Sequence, residues 1–356
     1  MSRYPFEIPD LTGLALTVDG PVDPATLGHT LMHEHIFVDL RRPERFHRPG
    51  EDSPEAAEPL TLATLARTRH GRPNADNDVL GDFDEMLTEV RAFSAAGGGT
   101  MVEVSPNGLG RNPEALRRLA RASGLHIVMG AGWYTPTFHP VDMAERTVDE
   151  LADGIVRDVV IGVGDSGVRS GIIGEVGADS APLTDDELKS VRASGRASRV
   201  TGAPITFHVG GVGEDKFTVL DVLTDEGVAP ENIVFGHAMD VLMNPALGDR
   251  LLARGVFVEL DFLASPGSPW GHLVLTSDHK VARGIAELIE RGYVDHLVLG
   301  HDVCQKIQLK RYGGQGYDYI PRHFLPALRH LGVSEEALHT IMVDNPARAL
   351  AFATPQ

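Results

Sequence analysis

Short apolar runs alternate along the chain with longer stretches in which apolar residues recur every three or four positions. The runs at 100–104 (TMVEV), 126–131 (HIVMGA), 171–176 (GIIGEV), 204–208 (PITFH), 233–237 (IVFGH), 256–261 (VFVELD) and 296–302 (HLVLGHD) read as buried strands. Helical periodicity follows each of them, at about 112–123, 141–160, 184–201, 214–226, 244–254, 278–291 and, in two pieces, 320–331 and 335–352. Asn112-Pro113 opens one of these helices, and Thr184-Asp185-Asp186-Glu187 opens another as a capping box. A further helix is predicted over 79–96, where Leu80, Phe83, Leu87, Val90 and Phe93 share a face and Gly97-Gly98-Gly99 ends it.

Upstream, residues 13–27 read as a short hairpin with a turn at Asp19-Gly20-Pro21, a lid on one end of the domain. The stretch 28–37 (GHTLMHEHIF) is then a first strand ending at His33 and His35. Residues 41–78 form a polar insertion with weak helical pattern around 61–69. Eight strand–helix units predict a parallel sheet closed into a (β/α)8 TIM barrel, a single domain over 1–356 with a short N-terminal hairpin and long loops at the C-terminal face. An open doubly wound sheet usually carries a Gly-rich phosphate loop after its first strand, whereas this strand ends in His-Glu-His.

Composition narrows the partners. Fifty acidic against 32 basic side chains give a formal charge of −18, which argues against nucleic acid and anionic membranes and in favour of a small-molecule substrate. The single cysteine, Cys304, excludes an intramolecular disulfide. The N-terminus lacks the apolar core of a signal peptide, and no apolar run reaches the length of a membrane span, so a cytoplasmic location is expected. A homodimer is the base-rate expectation for assembly.

The chemistry lies at the C-terminal ends of the strands: His33 and His35, Glu103, Trp133 and Tyr134, Glu175, His208, His237, Asp261 and Asp302. In a barrel these positions surround one pit. Residues i and i+2 of a strand share a face, so His33 and His35 can converge. His-x-His alone is a weak motif; four histidines and several carboxylates at corresponding places of successive repeats suit two divalent cations. On this reading His33, His35 and Asp302 hold the more buried ion and His208 and His237 the more exposed one. Glu175 bridges them and offsets their repulsion. A bridging hydroxide would be the nucleophile, with Asp302 taking its proton. His-rich ligation points to zinc, although manganese, cobalt or iron fit the same ligands.

The segments TLMHEHIFVD, GGGTMVEVSPNGLGRN, GIIGEVG, ITFHVG, IVFGHAMD, LVLGHDVC and NPARAL, spread over about residues 14–352, resemble the phosphotriesterase family of the amidohydrolase superfamily. HDVCQKIQLKRYGGQGYDYI, with the bridging Glu, is most similar to the phosphotriesterase-related branch. The resemblance implies a metal-dependent hydrolase with ligands at His33, His35, His208, His237 and Asp302. Two departures matter. Many members bridge the metals with a carboxylated lysine directly after the GII; here that place is Gly174 and the acid follows at Glu175. A one-residue offset turns a side chain to the other face, so a bulge must re-aim it. The organophosphate hydrolases also carry a His after the Asp that ends strand 7, and here Phe262 follows Asp261. The expected reaction is therefore attack on the carbonyl of a small lactone, carboxylic ester or N-acyl amide. Phosphotriester hydrolysis, a non-catalytic metal-binding barrel and a mononuclear deaminase are the rivals.

Further candidates have two readings each. Tyr134 either orients a bound carbonyl, as the lactonase branches resemble, or is an aromatic wall; Trp133 reads as wall. Glu103 either accepts from a ligand imidazole or forms a barrel salt bridge. Asp240 either orients His208 or His237 or caps the next helix, and Asp261 backs a ligand or faces substrate. Arg283, Lys306, Lys310, Arg311 and Tyr312 either meet a substrate carboxylate or sulfonate or form a solvated face. Substrate choice is expected to lie in the loops 41–78, 135–145, 262–277 and 303–320.

Overall fold

The computed structural model describes residues 3–264 and 277–356, so residues 265–276 of the expected 262–277 specificity loop lie outside the described residues. The chain opens with an antiparallel hairpin, β1 (Ala15–Thr17) and β2 (Gly20–Val22). Its turn is bonded to the barrel, where Val18 N donates to Ile127 O at 2.9 Å. The first barrel strand is β3 (His29–Glu34). The insertion 41–78 contains α1 (Leu62–Arg69) and is flanked by β4 (Val38–Asp39) and β5 (Val79–Leu80), which pair antiparallel. There follow α2 (Phe83–Ala95), β6 (Gly98–Glu103), α3 (Pro113–Ser123), β7 (His126–Ala131), α4 (Val148–Val160), β8 (Ile172–Gly177), α5 (Asp185–Thr201), β9 (Ile205–His208), α6 (Asp215–Asp225) and β10 (Ile233–Phe235). The remainder is α7 (Asp240–Met243), α8 (Pro245–Leu252), β11 (Phe257–Leu260), α9 (Asp278–Glu290), β12 (Leu297–Leu299), α10 (Leu325–His330), α11 (Glu335–His339) and α12 (Asn345–Ala349).

Strands β3 and β6 to β12 form one eight-stranded parallel sheet in chain order. This is the (β/α)8 TIM barrel that the alternation predicts. Bonds just beyond the strands close the ring: Asp302 N donates to His33 O at 3.0 Å and His35 N to Val303 O at 3.1 Å. The Glu34 carboxylate reinforces this seam by accepting from the backbone N–H of His301 (2.9 Å) and Val303 (3.2 Å). The His301 ring is held between Glu34 Oε1 (2.6 Å) and Ile320 N (3.1 Å), a structural position.

Helix boundaries differ from the periodicity where a cap decides them. The helix predicted from 79 starts at Phe83, because the Asp82 carboxylate accepts from Glu85 N at 2.8 Å and residues 79–80 pair as β5. That predicted from 141 starts at Val148, fixed by the Thr147–Glu150 capping box. The two C-terminal helices each contain a π-helical turn, Ile320–Phe324 and Thr340–Asp344.

One apolar layer lies between sheet and helices, with Phe93, Leu116, Leu119, Ile155, Leu220 and Ile285 fully buried in it. A second, smaller cluster joins Met32, Val102, Val128, Ile172, Val234, Phe257 and Val298 to Ala15 and Leu27. Strand alternation puts Phe257 on the face of Glu259 and Asp261, and Val298 on the face of Gly300 and Asp302. The second cluster is therefore the floor of the barrel interior, with the polar groups above it. Met32 of this floor is adjacent to His33, although neighbouring residues should face opposite ways. The pairing of β3 with β6 shifts register between Leu31 and Glu34, and that irregularity lets both point inward.

Candidate metal centre

The strand ends bring four imidazoles and two carboxylates together around Glu175. Glu175 Oε2 is 3.1 Å from His33 Nε2, 3.1 Å from His208 Nδ1 and 3.8 Å from His237 Nε2. Its Oε1 is 3.1 Å from His35 Nε2. Asp302 Oδ1 is 3.2 Å from His35 Nε2 and 3.9 Å from His33 Nε2. All six side chains are buried or nearly so, His208 being the most open at 13%.

Glu175 reaches this centre through the irregularity its offset demands. The β8–β9 pairing shifts register between Ile173 and Val176. Gly174 has φ +134°, and a Cβ there would lie 2.2 Å from Thr206 O. The position at which a lysine would be expected thus accepts only glycine, and its conformation turns the next side chain inward. Val209, His237, Phe262 and Asp302 also have positive φ, at 67°, 52°, 56° and 55°. Left-handed backbone at non-glycine residues costs about 1–3 kcal/mol each, and here it clusters where β9 to β12 turn into the pit.

Outer partners fix the rings. His33 Nδ1 is 3.2 Å from Glu259 Oε2. His237 Nδ1 is 2.9 Å from Asp261 Oδ1, and its backbone N donates to Asp261 Oδ2 at 3.0 Å. His35 Nδ1 is 2.8 Å from Ser105 Oγ, which donates to Glu103 Oε1 at 2.5 Å. With Nδ1 of His33 and His35 hydrogen-bonded and that of His237 facing Asp261, Nε2 of each of these rings is left for the centre, the usual arrangement behind a metal-binding histidine. Tyr134 Oη is 3.1 Å from His208 Nδ1 at the open side.

In the absence of cations the cluster traps protons. Burial disfavours charge on His33, yet Glu175 and Glu259 outweigh it and hold its pKa well above the ordinary value. Burial likewise opposes charge on His35, but Asp302 and Glu175 bring it up to about 10. Glu175 is held well below the carboxylate range, against its burial, by His33 and His208. Despite these short approaches, His33 Nε2 and Glu175 Oε1 are buried without a hydrogen bond of acceptable geometry. Three groups have their possible ligand atoms within 4.8 Å, and two of them, His33–His35–Glu175 and Glu175–His208–His237, overlap at Glu175; the third is His33–His237–Asp261.

A cavity of about 370 Å³ opens above the cluster, lined by His35, Tyr134, Asp179, His208, Phe262, Asp302 and residues of the 41–78 insertion. Seven sequence candidates join neither the cluster nor the cavity; of these Lys310 pairs with Asp318 and Arg311 with Glu85. Asp240 pairs with the buried Lys216 at 3.2 Å and, among the described residues, forms no ion pair with His208 or His237. Arg283 is exposed on α9 and is absent from the cavity wall, because its helical position turns it to solvent. Lys306 pairs with Asp76 at 2.6 Å, Tyr312 donates to Glu85 at 3.0 Å, and both line a separate groove with Asp82 and Glu89. Trp133 packs in the layer between sheet and helices.

The structure adds residues that the motifs did not reveal. Glu259 lies two before Asp261, so the alternation of VFVELD carried a signal for it. Ser105 carried none. Lys216 is 1% exposed and donates to Val209 O (2.9 Å) and Gly211 O (2.6 Å), tying the loop after His208 to Asp240 in the segment after His237. Phe262, in place of an imidazole, stacks on His237 with ring centroids 4.2 Å apart.

The profile of the Phosphotriesterase family matches residues 14–350. The chain belongs to the phosphotriesterase family. It is similar to the N-acetyltaurine hydrolase of Tetraodon nigroviridis (31% identical, covering 96% of this chain and 99% of that one). It is also similar to the phosphotriesterase-related protein of Nematostella vectensis, at 31% identity with the same coverage. Among solved structures, a resiniferatoxin-binding protein from Rhodobacter sphaeroides superposes with TM-score 0.88 at 37% identity, covering 96% of each chain. This phosphotriesterase-family barrel is a hydrolase, and its buried His/Asp/Glu groups could hold metal. Among the described residues no helix is long and apolar enough to cross a membrane.

Proposed function

We propose that this family member is a binuclear metal-dependent hydrolase that opens the carbonyl of a small lactone, carboxylic ester or N-acyl amide. The observation that carries the reading is the position of Glu175, shared between the two ligand groups and within 3.8 Å of all four imidazoles. His33, His35 and Asp302 would hold one ion and His208 and His237 the other, with Glu175 common to both. The donor set, four imidazoles and two carboxylates, suits zinc and also accepts manganese, cobalt or iron. When bound, such ions supply Lewis acidity and bring the pKa of a coordinated water towards about 7.

The chain's own groups do the rest. Asp302, which lines the cavity 3.2 Å from His35 Nε2, can receive a proton at Oδ1 and pass it to the leaving group. Burial and the nearby carboxylates push the Tyr134 hydroxyl well above its ordinary value, so it remains a donor able to bond a carbonyl oxygen beside His208. Glu259, Asp261 and the Ser105–Glu103 pair hold the imidazoles in place. The naming of several relatives as N-acetyltaurine hydrolases supports an amide among the substrates. Phe262 beside Asp261 disfavours phosphotriester cleavage as the main reaction, and the complete ligand set disfavours a merely binding barrel. The test is metal-reconstituted enzyme assayed on lactones, N-acyl amino acids, carboxylic esters and paraoxon-like triesters. Turnover of at least one carbonyl class is expected to exceed that of the triesters; triesters turned over orders of magnitude better than every carbonyl compound would overturn the assignment.

A further inference from the structure

Part of the cavity wall comes from the 41–78 insertion, and it carries three arginines, Arg42, Arg48 and Arg72. This is unexpected on a chain with 50 acidic and 32 basic residues. Arg42 is the innermost, with its side chain 25% exposed. Its one ionic contact is a long one, Nε to Glu51 Oε1 at 3.5 Å, and the like charge of Arg48 also reaches it. Among the described residues Arg48 and Arg72 make no ion pair, and both are exposed at the cavity rim. Four acids line the same cavity, and the charges of Glu51 and Asp78 both reach Arg42, whereas among the described residues no carboxylate forms an ion pair with the Arg48 or Arg72 guanidinium. Glu51 is matched to Arg42, and Asp302 belongs to the cluster. Asp179 faces His208 at 4.0 Å. Asp78 is pushed up to about 6 by burial while it accepts from Gln305 and Asn77.

Two guanidinium groups that make no ion pair among the described residues, beside a third held by one long contact, leave donors at the cavity for an incoming anion. Arginine is the side chain best suited to a planar carboxylate or a tetrahedral sulfonate, since its donors form a rigid fork. We propose that Arg42, Arg48 and Arg72 form an anion subsite that selects substrates bearing a carboxylate or sulfonate remote from the scissile carbonyl. The inference rests on the hydrolase reading above for the location of that carbonyl and goes beyond it in assigning the substrate's other end. It also moves charge recognition from Arg283 and Lys306, which lie outside this cavity, to the insertion. Screening of the overall negative charge is then local, confined to the mouth through which the substrate enters.

The experiment compares three N-acetyl amides of equal reach: N-acetyltaurine (sulfonate), N-acetyl-β-alanine (carboxylate) and N-acetyl-β-alaninamide (neutral). Metal-reconstituted wild type is expected to favour an anionic member over the neutral one by about tenfold or more in kcat/KM, a difference expressed in KM. R42Q and R48Q are each expected to cut that ratio about fivefold or more, with R42K restoring part of it, and added salt should raise KM for the anionic members only. R48Q and R72Q alter exposed side chains, so they test the subsite even where R42Q fails to fold. Equal turnover of charged and neutral amides by wild type would overturn the subsite and leave the hydrolase reading intact. Should metal-loaded enzyme cleave none of the three, calorimetric titration with N-acetyltaurine decides. Binding weakened by R48Q and R72Q upholds the subsite while the amide reading falls, and binding indifferent to both variants refutes the subsite.

Discussion

Lys216 links two loops that each carry a candidate ligand, and K216M removes the link while keeping the aliphatic stem. The ammonium donates to two backbone carbonyls flanking Gly210 and pairs with Asp240 at 3.2 Å, whose side chain is 27% exposed. Each lost carbonyl bond costs about 1 kcal/mol, and the ion pair, discounted for the exposure of Asp240, about another 1 kcal/mol. The expected total is therefore about 3 kcal/mol. Spread over the whole 356-residue chain, this lowers Tm by about 4 °C. If the loss falls on the loops instead, it appears as weaker cation binding at His208 and His237, up to about 100-fold. The assay is chelator-competition titration of zinc into K216M and wild type, with calorimetric melting of both proteins free of metal. One ion is expected to bind with near-normal affinity and the other weakly. K216M that binds both ions as wild type does, with Tm unchanged, would refute the idea that Lys216 sets the spacing of His208 and His237.

Three other outcomes follow from the same geometry. In metal-free protein, the stability due to His35 is fully present below its unfolded pKa of 6.5 and is lost as pH rises through the folded value of about 10; that due to Asp302 is present above 3.8 and lost as pH falls through about 2. Calorimetry should therefore show Tm of chelated protein falling between pH 6.5 and 10, whereas metal-loaded protein, its imidazoles already deprotonated, should show little such fall; parallel profiles would count against the assignment. Y134F is expected to lower kcat on the carbonyl substrate by about 10- to 100-fold with metal content unchanged, and an unaltered kcat would make Tyr134 a wall residue. G174A places a Cβ 2.2 Å from Thr206 O at φ +134°, so it should lower Tm and metal content together; wild-type behaviour would mean that Glu175 does not depend on this bend.

The barrel was legible because each apolar run and each capped periodic stretch points to the same element. Thr184–Glu187 and Asn112-Pro113 mark the starts of α5 and α3 in the sequence as they do in the fold. The clustering of side chains was legible for a related reason: strand ends in a parallel barrel share one face, so His33, His35, Glu175, His208, His237 and Asp302 could be gathered without coordinates. The re-aiming of Glu175 was predictable as a need, but its means, a register shift at Gly174 under Thr206, depends on the neighbouring strand. Contacts between loops left no such trace. Arg283, Lys306 and Tyr312 are near the site in sequence terms, yet helix phase and local pairing with Asp76 and Glu85 take them elsewhere. Arg42, Arg48 and Arg72 sit in a polar insertion without readable periodicity, and only its fold over the barrel mouth brings them to the cavity.

The account turns on Glu175 joining two cation sites, and metal stoichiometry tests it most directly. Wild type reconstituted with zinc and freed of loose ions should carry two equivalents per chain by elemental measurement. E175Q, which keeps the shape but loses the shared charge, should fall to one or none. A wild type holding a single equivalent, or E175Q holding the same number of ions as wild type with the same affinity, would contradict the binuclear assignment and leave the barrel with a mononuclear centre or with no shared ligand.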